Sequence, residues 1–102
     1  MEKLISNTEK IAFNHFKAFG FKDEQIDQLI LQGTKDLRKE LTKLKVLLEA
    51  DEISYNDVNN VLHALKGLLF QLGNHEVAEK LVEIRSNLED EDILKDIAEL
   101  YN

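Results

Sequence analysis

Apolar residues recur at helical spacing through most of this chain, and no proline interrupts them. Proline breaks a helix interior because it lacks an amide donor and its ring crowds the preceding turn. With no proline and only four glycines, long stretches are free to be helical. Leu and Ile dominate the apolar residues, and Lys, Glu, Asp, Gln and Asn the polar ones, a mix that favours helix over strand. At 102 residues the chain can build one hydrophobic core but not two. The expectation is therefore an all-α fold in a single domain, residues 1–102, with no internal repeat, low-complexity tract or linker.

Five helical segments follow from periodicity and end signals. The first covers about Glu2 to Phe16, with Leu4, Ile5, Thr8, Ile11, Ala12 and Phe16 in register, and Gly20 ends its region. The second runs from an N-cap at Asp23 to about Ala50, carrying Ile26, Ile30, Leu37, Leu41, Leu44 and Leu48. At about 1.5 Å per residue such a helix reaches on the order of 40 Å. Gly33 and Thr34 mark either a kink or a local break in it, and Gly33 reads as a packing or kink residue rather than a site. Ser54, with Asp57 three residues on, caps a third helix from about Tyr55 to Leu72. Gly73 stops it and Asn74 caps the fourth, which holds Val77, Ala78, Leu81, Val82, Ile84 and Leu88. The acidic run Glu89 to Asp92 suits the start of a fifth helix with Ile93, Leu94, Ile97 and Leu100. Short connections imply antiparallel neighbours in a bundle.

The composition excludes several function classes. There is no cysteine, hence no disulfide scaffold, zinc-thiolate site or cysteine nucleophile. Twenty acidic residues against 13 basic give a net charge of −7. That speaks against nucleic acid and against an anionic membrane as partners, since both are held through Lys and Arg. No apolar run approaches the roughly 20 residues of a membrane span, and the N-terminus lacks a signal-peptide core. Cytoplasmic residence is the expectation.

The third helix differs from the others. Val58, Val61, Leu62, Leu65, Leu69 and Leu72 form its apolar stripe. The opposite face carries Asn59, His63, Lys66, Gly67 and Phe70, the last four related by spacings of three, four and seven. A glycine inside a helix costs about 1 kcal/mol relative to alanine. It is easier to explain where another surface must approach the backbone. Phe70 on a wet face is easier to explain if that surface is a protein, though the ring could equally fold back on a neighbouring helix. A neutral imidazole near pH 7 is a competent nucleophile toward activated phosphorus, and a nearby ammonium can stabilise the transferring oxygens.

The string His63-Ala64-Leu65-Lys66-Gly67, followed by Gly73, resembles the HxxKG…G signature of histidine-phosphotransfer domains of two-component phosphorelays. The likeness extends from about Asp23 to Leu100. A long helix is followed by a short acidic connection, the histidine helix, and a helix that starts after the glycine. It implies an antiparallel four-helix bundle over residues 23–102 with an additional N-terminal helix over residues 1–20. It also implies that His63 is phosphorylated, through Nε2, and that Lys66 contacts the phosphoryl oxygens. Gly67 would leave room for the partner and Gly73 would close the turn. Leu68 and Leu69 stand where the family often has Ser or Ala. The implied partners are a response-regulator receiver domain, a histidine kinase, or both. Phe70 and Leu68, with Asn59 nearby, form the expected docking patch. The domain would carry phosphate rather than catalyse by itself. It would need no cofactor of its own, with Mg²⁺ on the receiver, and it would be monomeric.

The alternative function is a helical interaction module of the same fold that binds a receiver or kinase without phosphotransfer. A bundle that homodimerises through the His63 face is a third. His15, near the apolar face of the first helix, reads as a packed or capping side chain, and His75 as the residue after a cap. No paired-histidine metal string is present. The acidic run lacks the glycine and alternating ligands of a calcium loop.

Overall fold

Several helix ends fall where the sequence supplies partners for the free backbone groups. The computed structural model describes residues 1–88 and 93–101. Among these, α1 spans Glu2–Ala18, α2 Asp23–Glu49, α3 Tyr55–Gln71, α4 His75–Ser86 and α5 Ile93–Ala98, followed by a 3₁₀ turn, Glu99–Tyr101. The described residues are all-helical apart from the connections. The acidic run at 89–92 lies outside the described residues.

The same turn stops α1 and α3. Gly20 and Gly73 both sit at φ +85°, a conformation glycine adopts without the steric cost other residues meet. The amide three residues beyond the helix then reaches back five residues, Phe21 N to Phe16 O at 3.3 Å and Asn74 N to Leu69 O at 2.8 Å. This is the Schellman closure. Ser54 Oγ accepts from the Asp57 amide, and Asn74 Oδ1 from the Val77 amide. Asp23, the expected cap of α2, is instead its first residue. Lys22 takes the cap position and the Gln25 carboxamide accepts its amide. Asp23 is better used one position later, where its charge meets the helix N-terminus and the Lys17 ammonium at 2.6 Å.

Cross-helix contacts fix the directions. Glu2 pairs with Arg38 while Lys17 pairs with Asp23, so α1 and α2 run oppositely. The Arg38 guanidinium, by hydrogen bond and charge, holds the Glu2 carboxyl below the usual carboxylate range. Helix α2 is continuous through Gly33 and Thr34, so neither a break nor a local unwinding occurs there. Gly33 is a crossing point instead. A Cβ on it would lie 2.6 Å from a Leu72 methyl, and the end of α3 packs there. Helix α4 folds back along α3, which brings Arg85 against Asn59 and His63.

Ile5, Leu37, Leu41, Leu44, Leu62, Leu65, Leu69, Leu81 and Ile97 belong to one buried cluster to which all five helices contribute. A fully buried Leu or Ile contributes about 1.5–3 kcal/mol, so this face of each amphipathic helix carries the fold. Two polar contacts complete it. Asn74 donates to the Thr8 hydroxyl at 2.9 Å in the interior, tying α1 to the α3–α4 turn. The Tyr101 hydroxyl donates to Leu41 O at 2.7 Å. Burial, with the Glu49 charge second, pushes the Tyr101 phenol up to about 12. No described helix is long and apolar enough to cross a membrane.

Candidate functional site

Val58, Leu62, Leu65 and Leu69 are the buried residues of α3, spaced four, three and four. That register turns His63 and Gly67 outward, and both are exposed. Lys66 and Leu68 flank them, half-buried. Lys66 makes no salt bridge among the described residues. Of the expected set, His63, Gly67 and Leu68 come together in one groove of about 400 Å³ between α3 and α2. Asp36, Lys39 and Glu40 of α2 form its far wall, and Ala64 and Gln71 complete the α3 side.

Gly67 is unlike the other glycine of α3's environment. A Cβ there would meet nothing within 4 Å. Its missing side chain makes room for no contact among the described residues, yet it forgoes the helix propensity of alanine. At Gly67 the groove is therefore lined by backbone alone.

Phe70 does not lie on the wet face. It is half-buried against the core, and its ring meets the His75 ring edge-on at 5.4 Å. A helical wheel of α3 alone puts it outside. The turn at Gly73 brings His75 back over it, and that fold-back of the chain was invisible to periodicity. Phe70 is thus the folded-back alternative rather than an open docking residue. Gly73 is where the resemblance puts it, closing the turn, but it has a second duty. The ring of His15 covers it, 2.5 Å from the place a Cβ would take. His15 is half-buried and packs edge-on against Phe16, Phe19 and His75, so it is a packed side chain. Among the described residues no group of three His, Asp or Glu is placed to hold a metal ion.

Asn59 is drawn away from the docking patch by a residue the sequence reading missed. Arg85 of α4 donates from Nε to Asn59 Oδ1 at 3.0 Å. Its Nη1 lies 2.9 Å from His63 Nδ1. A guanidinium only donates, so Nδ1 accepts, and the proton of the neutral ring belongs on Nε2. The signal that could have found Arg85 is hairpin symmetry about Gly73. Arg85 lies as far after that glycine as Val61 lies before it, midway between Asn59 and His63. Compared with known protein families, with curated proteins and with solved structures, the chain finds no match.

Proposed function

We propose that this chain is a phosphoryl carrier of the histidine-phosphotransfer kind, with α2 to α5 as an antiparallel four-helix bundle and α1 as an added helix. Residue His63 takes a phosphoryl group from an aspartyl phosphate of a receiver domain and returns it. The imidazole Nε2 attacks phosphorus in line, the bond from phosphorus to the carboxylate oxygen breaks, and its electron pair leaves with the aspartate. Lys66 stabilises the equatorial oxygens by charge. The receiver supplies Mg²⁺ and most of the remaining stabilisation, in the cytoplasm where such relays operate.

The observation that carries this reading is the pairing of an exposed mid-helix His63 with a Gly67 that no contact among the described residues requires. A partner surface that must reach Nε2 would need that bare backbone. Leu68 and the α2 wall of the groove, Asp36, Lys39 and Glu40, become the docking surface. The same groove could bind a receiver or kinase without chemistry, and the Arg85 contact, which puts the proton on Nε2, favours that second reading. Transfer separates the two. A receiver domain charged with acetyl phosphate in the presence of Mg²⁺ should pass acid-labile phosphate to this chain. Binding without transfer would establish the interaction module instead.

A further inference from the structure

Arg85 takes no part in the transfer as described, yet it holds the reacting ring. Its guanidinium is anchored at two points of α3 one turn apart, at Asn59 through Nε and at His63 through Nη1. Its side chain is half-buried, and two donors of one planar group, held by two acceptors, fix its orientation. Lys66 lies three residues further along α3, and Asp36, Lys39 and Glu40 line the groove with His63. Of all these, Arg85 is the one hydrogen-bonded to the ring.

We propose that Arg85 is a positioning residue that sets the state of His63, opposing uptake of a phosphoryl group by the empty ring and retaining the group once it is bound. This rests on the carrier reading. Attack needs a lone pair on Nε2 and therefore the proton on Nδ1. Arg85 stabilises the opposite tautomer, so the contact must open before the ring can react. When Nε2 of the Nδ1–H tautomer attacks, the donor's bond to phosphorus breaks and its electrons leave with the donor. The ring becomes an imidazolium bearing Nδ1–H, and that proton passes to water. The product is a neutral ring with phosphorus on Nε2 and a lone pair on Nδ1. That lone pair is what Arg85 is placed to satisfy. Loss of the phosphoryl group as neutral imidazole requires Nδ1 to be protonated again, and a guanidinium donating to Nδ1 competes with that proton. One contact thus mismatches the empty ring and matches the loaded one.

The test uses the full chain and phosphoramidate, a small donor that needs no receiver. Long-range proton–nitrogen NMR of His63, at a pH where the ring is neutral, should show the proton on Nε2 in the wild type. In Arg85→Glu, which offers Nδ1 an acceptor, it should move toward Nδ1. After loading and removal of donor, Arg85→Ala should lose its phosphohistidine about fivefold faster, the factor equivalent to about 1 kcal/mol. Arg85→Lys, which keeps a cationic donor, should recover most of the wild-type lifetime. Equal lifetimes in wild type and Arg85→Ala, or an Nδ1–H tautomer in the wild type, would overturn this role for Arg85 and leave the carrier reading standing. Failure of the wild type to form phosphohistidine at all would overturn the carrier reading and this role with it.

Discussion

Two histidine–glycine pairs sit at opposite kinds of place on this molecule. At the turn after α3, Gly73 has a left-handed backbone and the ring of His15 lies where a side chain would be. Thr8 and Asn74 seal the same region from inside. On the outer face of α3, Gly67 has an ordinary helical backbone and open space where a side chain would be, and His63 beside it is exposed. The first pair is accounted for by the fold. The second is not, because the chain gains no packing from its glycine and no burial from its histidine. A glycine that costs stability and packs against none of the described residues, beside an exposed histidine, is where a partner is to be sought.

The comparison predicts opposite signs for the same substitution at the two glycines. Gly73→Ala should destabilise by about 3 kcal/mol, combining backbone strain of roughly 1–2 kcal/mol with overpacking against His15. Chemical denaturation would measure it, and a loss under about 1 kcal/mol would dissolve the distinction. Thr8→Val should cost about 2 kcal/mol, because the buried Asn74 amide loses its acceptor. This sharpens the claim that the Gly73 region is held by the chain itself.

In that closed region the turn itself was legible in the sequence, since Gly73 and Asn74 cap through neighbours within a few residues, whereas the Thr8 and His15 contacts arrive from α1. A packing role was one of the two readings of Gly33, but its partner was hidden, because Leu72 arrives from another helix. The choice between docking and fold-back for Phe70 stayed open for a similar reason. A wheel drawn on α3 cannot include the His75 ring that the turn returns to it. At the site, the string from His63 to Gly67 gave the exposed pair directly. Arg85 stayed hidden because its closeness to His63 spans 22 residues and two helices.

Smaller effects remain. Tyr101 contributes a pH-dependent term. Its folded phenol is pushed up to about 12, against roughly 10 in an unfolded chain. The folded state therefore keeps the proton longer. The contribution is whole below about pH 10 and is lost as pH rises through about 12. Solvent screening at this half-buried phenol reduces it to about 1 kcal/mol. In Tyr101→Phe that part of the alkaline loss of stability should vanish, as urea titrations of both proteins across this range would show. Gly67→Ala should raise stability by up to about 1 kcal/mol through helix propensity. It should also slow phosphoryl uptake from a charged receiver more than uptake from phosphoramidate. A destabilised Gly67→Ala protein would mean that the outer face is packed after all.

The most direct measurement compares the three histidines. The chain treated with phosphoramidate, then mapped by mass spectrometry under alkaline conditions, should carry one acid-labile phosphoryl group on His63, with none on the packed His15. His63→Gln should carry none, with an unchanged helical circular-dichroism spectrum. Acid-labile phosphate of equal yield in His63→Gln, or phosphate spread over His15 and His75 with His63 unmodified, would contradict the account.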